Sequence, residues 1–232
     1  GINASFMKVK SFTNTRDAQG YTGYDPVRNE IVVAFRGTNT FKTSVDDARI
    51  IMVPYSLCRG CTVHLGFKAS TIPMLESSES EFEAGDQHPT SRIKVTGHSL
   101  GAALALLGAL DLEYLFPGRI ATVYNFGQPR VGNINFAMYA DSRLQIYRVV
   151  HDSDIVATIP PPFFMLGYIH AGTQIWYTSD MSSYRECVPE DNRCMVSLPA
   201  ALKDKKGMGD HSLEYYLEYR FSEDNRWLNI II

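Results

Sequence analysis

Hydrophobic residues near the middle of the chain change from an alternating pattern to a nearly continuous one. Ile93 and Val95 alternate with polar residues, which is typical of a short strand. The next stretch, residues 100–116, is rich in Ala and Leu and favours a buried helix. This boundary predicts a strand followed directly by a helix, and the rest of the chain is organised around that unit.

Further strands and helices alternate on both sides of this unit. Strand patterns occupy residues 19–24, 30–36, 120–126, 144–150 and 173–178, and helical patterns occupy residues 41–51, 64–82, 133–141 and 212–217. Pro73 is expected to kink or restart the second of these helices, because proline removes one helical hydrogen bond. The alternation predicts an α/β fold with a mostly parallel central sheet covered by helices. With no repeat and no linker, we expect one domain over residues 1–232.

The junction between the central strand and helix carries a G-x-S-x-G motif, Gly97-His98-Ser99-Leu100-Gly101. A strand, a sharp turn and a helix are the context in which this motif presents a serine nucleophile. The turn is so tight that a Cβ at its flanking positions would be crowded, which explains the glycines. The alternative is a glycine-rich turn with an incidental serine; the flanking strand and helix favour Ser99 as a nucleophile at a helix N-terminus.

Two acidic residues follow the strand at 144–150, at the sheet edge where Ser99 is expected. Asp152 and Asp154 compete for the role of the acid in a catalytic triad. The apolar residues 155–160 would exclude water, and this favours Asp154. The alternative for either residue is an ordinary turn or helix cap.

The catalytic base should follow both residues, in the order Ser, Asp, His. His170 and His211 satisfy that order. His170 precedes a strand and is interpreted as a structural histidine, as is His64. His211 follows a loop, residues 207–210, and precedes a helix, from which it can reach Ser99. We therefore predict His211 as the base and interpret the adjacent Asp210 as a helix cap.

Two backbone N–H groups are candidates for an oxyanion hole. In this type of fold one comes from the residue after the nucleophile, here Leu100, and the other from a loop after an early strand. Thr38 lies in such a loop, Arg36-Gly37-Thr38-Asn39-Thr40. The alternative for this loop is an ordinary turn at the end of a strand.

Residues 41–51 form a weak amphipathic pattern. Phe41, Val45 and Ala48 make a narrow apolar stripe, with polar and charged residues on the other face. This pattern indicates a short lid helix over the Ser99 cleft, or alternatively a surface helix packed on the core.

Composition excludes several other classes of protein. The net charge of −3 and the lack of a run of Lys and Arg give no reason to expect a nucleic-acid partner. No apolar stretch reaches the roughly 18 residues of a membrane span. Ser-His-Asp chemistry requires no metal ion and no cofactor, and none is predicted.

Four cysteines form two close pairs, Cys58/Cys61 and Cys187/Cys194. A zinc site is one interpretation, but the second spacing is too wide for the usual knuckle. A thioredoxin-like motif is another, but Cys61 does not open a helix after a strand. Two local disulfides fit best and favour an oxidising compartment, so we expect a secreted, extracellular protein.

Taken together, the motifs resemble the fungal-type class 3 lipases, which are related to feruloyl esterases and share the α/β-hydrolase fold. The resemblance covers roughly residues 19–217 and rests on IVVAFRGT (31–38), HLGF (64–67), VTGHSLG (95–101), FGQPRVG (126–132), DIVATIPP (154–161), HAG (170–172) and Asp210-His211. It implies a triad of Ser99, Asp154 and His211, an oxyanion hole from Thr38 and Leu100, and two disulfides. The acid is thereby resolved as Asp154.

The sequence departs from that family at two places. Its members carry a longer N-terminal segment, which is expected here to be missing or very short. Their lid contains a tryptophan in a strongly apolar helix, whereas residues 41–48 have none and are more polar, as in feruloyl esterases.

The function predicted from the resemblance is hydrolysis of carboxylic esters, as in a triacylglycerol lipase. The substrate would be an acylglycerol or another ester, with transient contact at a lipid–water interface, and the protein is expected to be a monomer. The alternatives are an esterase for soluble or aryl esters and a catalytically silent lipid-binding domain.

Overall fold

The computed structural model describes residues 7–13, 19–37, 51–78, 88–160, 162, 167–191, 193–194 and 206–217. Twelve strands lie within these residues: β1 (Met7–Thr13), β2 (Gln19–Asp25), β3 (Glu30–Phe35), β4 (Met52–Pro54), β5 (Thr62–His64), β6 (Arg92–His98), β7 (Ile120–Phe126), β8 (Gly132–Asn133), β9 (Ile146–His151), β10 (Tyr168–Ile169), β11 (Thr173–Tyr177) and β12 (Tyr184–Cys187). The helices there are α1 (Leu65–Ser78), α2 (Leu100–Leu115), α3 (Ile134–Arg143), α4 (Lys206–Gly209) and α5 (Leu213–Leu217), with a 3₁₀ turn at Val156–Thr158.

Eight strands form the central sheet in the order β1-β2-β3-β6-β7-β9-β11-β12. The five strands from β3 to β11 are parallel, and antiparallel strands flank them on both sides. This arrangement confirms the predicted mostly parallel sheet. Because neighbouring parallel strands follow chain order, right-handed connections place α1, α2 and α3 on the same face of the sheet.

Helix α2 occupies the centre of that helical layer. It packs against β3, β6 and β7, and its residues from Gly101 to Leu110 are all buried. A helix this apolar on every side is stable only when it is covered, as the Ala- and Leu-rich sequence indicated. Its N-terminus is therefore fixed firmly at the carboxyl end of β6.

Several elements differ from the sequence predictions. Helix α1 runs as one helix across Pro73, so the expected restart is not observed. Residues 206–209 form the single turn α4 rather than a loop. Strands β1 and β12 were not predicted, nor was a second sheet of short strands in the order β10-β8-β5-β4. The predicted lid at residues 41–51 lies outside the described residues except for Ile51.

Both cysteine pairs are disulfide-bonded, as predicted. The Cα atoms of Cys58 and Cys61 are 5.6 Å apart, and those of Cys187 and Cys194 are 6.7 Å apart. All four sulfurs are thus used in disulfides, which leaves none of them as a thiolate for the alternative zinc site. The second bridge, between Cys187 and Cys194, closes a loop after β12 that contains Glu190.

Candidate active site

Ser99 lies in a strained turn between β6 and α2. Its backbone has φ 60° and ψ −128°, a conformation that non-glycine residues rarely adopt and that costs about 1–3 kcal/mol. The turn is held by the hydrogen bond from Ser99 N–H to the carbonyl oxygen of Phe126, which is 3.0 Å long. A strained serine at a tight turn between a strand and a helix is the signature of a nucleophile elbow.

The two glycines of the motif are required by close backbone contacts. A Cβ at Gly97 would overlap the carbonyl oxygen of Gly101, and a Cβ at Gly101 would overlap the carbonyl oxygen of Phe35. Helix α2 therefore approaches β3 and β6 backbone to backbone. The crowding predicted from the sequence is confirmed, and it fixes the direction in which Ser99 leaves the sheet.

Asp154 and His211 form a direct pair at the carboxyl edge of the same sheet. Nδ1 of His211 lies 2.9 Å from Oδ2 and 3.0 Å from Oδ1 of Asp154. The Asp154 side chain is fully buried, whereas the His211 side chain is 11% exposed. Because a carboxylate only accepts, Nδ1 carries the proton and Nε2 carries the lone pair of the ring. This is the tautomer that a general base needs.

Asp154 receives two further hydrogen bonds that hold it in place. The backbone N–H of Val156 donates to Oδ1 at 2.8 Å, and the hydroxyl of Tyr216 donates to Oδ2. Burial raises the pKa of Tyr216 well above its ordinary value, and the charge of Asp154 raises it further, so the phenol keeps its proton. A buried carboxylate with three donors remains a strong acceptor for His211.

Tyr216 was not predicted as a site residue, although it lies only five positions after His211. Its hydroxyl also accepts a hydrogen bond of 3.1 Å from the backbone N–H of His151. Gly127 was missed as well, although it is the glycine that directly follows β7 in the FGQPRVG motif. A Cβ there would lie 2.6 Å from Oδ2 of Asp154 and 2.9 Å from Nδ1 of His211.

A second histidine and aspartate, His151 and Asp210, connect the segment that carries Asp154 to the segment that carries His211. Asp210 accepts a hydrogen bond of 3.2 Å from Ser153 N–H, and one of its carboxylate oxygens lies 3.7 Å from Nδ1 of His151. Asp210 therefore links the segment of the base to the segment of the acid, a role beyond the helix cap predicted for it. His151 also stacks on Tyr215 at 4.8 Å between ring centroids.

The two histidines interpreted as structural are buried among backbone groups. Nδ1 of His64 accepts a hydrogen bond of 3.1 Å from Gly66 N–H, and burial lowers its pKa. Nε2 of His170 donates to the carbonyl oxygen of Ala157 at 2.8 Å. Burial lowers the pKa of His170 well below its ordinary value. Neither residue contacts the pair formed by Asp154 and His211 through these bonds.

The predicted oxyanion-hole residues are only partly described. Leu100 is the first residue of α2, where backbone N–H groups have no partner within the helix. Thr38 lies outside the described residues, but Gly37 before it is close to the nucleophile, because a Cβ built there would lie 3.4 Å from Ser99 Cβ. Ser99 Oγ is buried and has no hydrogen-bond partner among the described residues.

A family model described as "Lipase (class 3)" matches residues 32–164 of the chain. The chain is 35% identical over 188 residues to a lipase of Rhizopus niveus, covering 78% of this chain and 47% of that protein. It is 35% identical over 165 residues to the secreted mono- and diacylglycerol lipase A of Penicillium cyclopium, covering 70% of this chain and 53% of that one. It thus spans about half the length of these relatives.

Solved structures extend the similarity to the whole fold. A triacylglycerol lipase, whose catalytic centre is formed by a serine protease triad, superimposes with a TM-score of 0.78 and 28% identity. The superposition covers 89% of this chain and 79% of that chain. No helix in the described part of the molecule is long and apolar enough to cross a bilayer.

Proposed function

Because this chain belongs to the class 3 lipase family, we propose that it hydrolyses carboxylic esters of acylglycerols through Ser99, His211 and Asp154. The observation that carries the proposal is the paired geometry of Asp154 and His211 at the sheet edge that also holds the strained Ser99 turn. The names of the relatives support the substrate class, since two of them are a lipase and a mono- and diacylglycerol lipase.

The proposed reaction is a two-step acyl transfer. Nε2 of His211 accepts the proton of Ser99 as Oγ attacks the ester carbonyl, and the protonated ring then donates that proton to the leaving alcohol. Asp154 keeps His211 in the required tautomer and stabilises its charged form. Water, activated by the same ring, then cleaves the acyl-enzyme.

The negative charge on the tetrahedral intermediate needs hydrogen-bond donors. We assign this role to the backbone N–H groups of Leu100 and Thr38, each worth about 3 kcal/mol of transition-state stabilisation. The position of Leu100 at the start of α2 supports its part. The closeness of Gly37 to Ser99 supports that of Thr38, because it brings the loop after β3 next to the nucleophile.

The test of this function is hydrolysis of p-nitrophenyl butyrate and emulsified tributyrin, with and without a serine-directed phosphonate. The parent should turn over both esters, and the phosphonate should abolish turnover with one equivalent bound. Ser99→Ala should lose turnover on the order of a millionfold while it keeps the parent's circular dichroism spectrum. A folded Ser99→Ala variant within tenfold of the parent would remove Ser99 as the nucleophile, and an inactive parent would support the silent binding domain.

A second candidate is an esterase for soluble or aryl esters. The observation that favours it is the composition of residues 41–48, in which Lys42, Asp46 and Asp47 accompany a stripe of only three apolar side chains. At about 25 cal/mol per Å², a stripe of that size gains only a few kcal/mol when it covers a cleft or meets lipid. The lid is therefore expected to open readily in water.

Rates through the solubility limit of tributyrin distinguish the two candidates. We expect measurable hydrolysis below the limit and a modest rise above it. A rate near zero below the limit, followed by a steep rise, would show a tightly closed lid and a lipase that requires an interface.

We also propose that the protein acts outside the cell, in transient contact with lipid surfaces. The two disulfides support an oxidising compartment, and the Penicillium cyclopium relative is named a secreted lipase. The monomeric state stays a prediction, which sedimentation equilibrium would check.

A further inference from the structure

His98, the residue before the nucleophile, makes two contacts with the base. Its Nε2 lies 2.9 Å from the backbone carbonyl oxygen of His211. Its ring stacks on the ring of His211, with centroids 4.5 Å apart and planes inclined by 25°. The edge of the same ring meets Tyr216 at 5.5 Å between centroids. No step of the proposed reaction uses His98, yet its side chain contacts both the backbone and the ring of His211, the proposed base.

The hydrogen bond defines the state of the His98 ring. A carbonyl oxygen can only accept, so Nε2 of His98 must carry a proton and donate it. Burial, with a further contribution from His211, lowers the pKa of His98 to about 3. His98 is therefore neutral at working pH, with its one proton on Nε2. A charged ring at this place would repel His211 when that residue takes the proton of Ser99.

The backbone of His98 is itself held firmly. It is the last residue of β6 and pairs with Phe126 in the neighbouring strand β7. His211, by contrast, lies in the short turn between α4 and α5, away from the sheet hydrogen bonds. The contact thus joins a turn to an interior strand of the sheet, directly beside Ser99.

We propose that His98 is a positioning residue that holds His211 in line with Ser99 through the hydrogen bond to its carbonyl oxygen. The stacked ring is the second part of this support, since it covers one face of the imidazole and leaves the Nε2 edge open. Asp154 fixes the other end of the ring through Nδ1. His98 thus acts on the backbone and one ring face of His211, and Asp154 acts on Nδ1, so the two residues constrain the base at different atoms. The inference rests on the proposed roles of Ser99 and His211.

Two substitutions separate the hydrogen bond from the ring. His98→Gln keeps an amide N–H near the position of Nε2 but removes the aromatic ring, and His98→Phe keeps the ring but removes the donor. The matched control is His88→Phe, because His88 also stacks on an aromatic ring, that of Tyr24, at 3.7 Å. His88 precedes β6 and lies at the opposite end of that strand from Ser99.

The measurement is kcat and KM for p-nitrophenyl butyrate, with rates normalised to the serine that a phosphonate titrates. His98→Phe should lower kcat about tenfold or more with KM within about twofold, because a displaced base misses its attack geometry. His98→Gln should stay within about threefold of the parent, and His88→Phe should match the parent. A His98→Phe variant with the parent's kcat, or a His98→Gln variant as slow as His98→Phe, would overturn the proposal.

A second measurement uses the unsubstituted protein, so it does not depend on whether a His98 variant folds. The 15N spectrum of uniformly labelled, unsubstituted protein should show the His98 ring in the Nε2-protonated tautomer from neutral pH down to pH 5, as is also expected for His170. The Nε2–H of His98 should correlate with the ring of His211. A ring at this position that titrates in that range, or that carries its proton on Nδ1, contradicts the proposal. This readout does not depend on turnover. A failure of the His98 proposal can therefore be distinguished from a failure of the proposed esterase activity.

Discussion

The buried guanidinium of Arg130 donates two hydrogen bonds to the carboxylate of Glu190, at 2.8 and 2.6 Å. Arg130 belongs to the loop after β7, and Glu190 lies within the loop closed by Cys187 and Cys194. The same guanidinium donates to the carbonyl oxygens of Thr158 and Pro160, at 3.0 Å for the latter. One ion pair therefore fastens the segment that follows Asp154 to the disulfide loop.

We expect Glu190→Gln to lower the free energy of unfolding by about 3 kcal/mol, because it leaves the fully buried Arg130 without its counter-charge. Urea unfolding followed by tryptophan fluorescence measures this. The control is Asp191→Asn in the same loop, where the partner Arg193 is mostly exposed and little change is expected. Equal losses in the two variants would show that the loop, not the ion pair, is responsible.

The loss of unfolding free energy in Glu190→Gln should depend on pH, in a direction that the pKa of Glu190 determines. Burial alone would raise the pKa of Glu190, but the hydrogen bonds and charge of Arg130 outweigh it and lower the pKa below its ordinary value. A carboxyl group with a lowered folded-state pKa stabilises the protein above its unfolded pKa, and this contribution is lost as pH falls through the folded value. The difference between parent and Glu190→Gln should therefore shrink in acid.

Gly127→Ala should inactivate the site without a change at any catalytic residue. The new Cβ would lie 2.6 Å from Asp154 Oδ2 and 2.9 Å from His211 Nδ1, so the two groups must separate. We expect kcat for p-nitrophenyl butyrate to fall about a hundredfold. Gly127 has φ +55°, so backbone strain must be separated from this steric effect.

Gly167→Ala is the control for that strain. Its φ is +59°, and a Cβ there meets no atom within 4 Å. Both variants should lose thermal stability through the strained backbone, Gly127→Ala by more because of its clash, while Gly167→Ala keeps its kcat. Comparable loss of kcat in both would assign the effect to the backbone instead.

Asp111 provides a test far from the site. Burial raises the pKa of Asp111 to about 6, and the hydroxyl of Tyr55 donates to it at 3.0 Å. A raised pKa means that the folded state binds a proton more tightly, so stability falls as pH rises from about 4 through about 6.

Asp111→Asn removes the charge and keeps an acceptor for Tyr55. We expect it to stabilise the protein at pH 8 by about 2 kcal/mol and to have little effect at pH 4. Thermal unfolding at the two pH values measures this, with Asp141→Asn as a comparison, since burial also raises the pKa of that residue. A destabilised Asp111→Asn at pH 8 would contradict the assignment.

The roles of the two neighbouring aspartates are separable by kinetics. Asp154→Asn should lower kcat about ten-thousandfold, because an amide at this place leaves His211 in the wrong tautomer. Asp152→Asn should cost little, since Asp154 is the residue whose carboxylate lies against Nδ1 of His211. The reverse order of the two effects would reassign the acid.

The strand, turn and helix around Ser99 were predictable because local rules determine them. Alternating residues, a continuous apolar run and two glycines leave few other conformations for residues 92–116. Chain order and strand-end position restricted the acid to Asp152 or Asp154, the apolar residues 155–160 favoured Asp154, and the family resemblance resolved it; the structure pairs Asp154 with His211. The single-domain boundary at residues 1–232 and the lid at 41–51 stay predictions.

The contacts that support the pair were not predictable from local pattern. Tyr216 reaches Asp154 from a helix far along the chain, and Gly127 matters only because two other segments meet above it. The role of His98 could not be predicted from the G-x-S-x-G motif, because its position in that motif accepts any residue. Strands of two or three residues, such as β8 and β5, have too few positions to show a period.

Helix α5, which begins two residues after His211, packs against β9, and both elements follow α2 and α3 in the chain. His211 is therefore the last of the three proposed catalytic residues to be synthesised. During synthesis, a chain that has already formed the Ser99 turn has no partner to remove its proton. Under the proposed mechanism, a nascent chain therefore gains esterase activity only after the segment that carries His211 has been made and has packed beside Asp154.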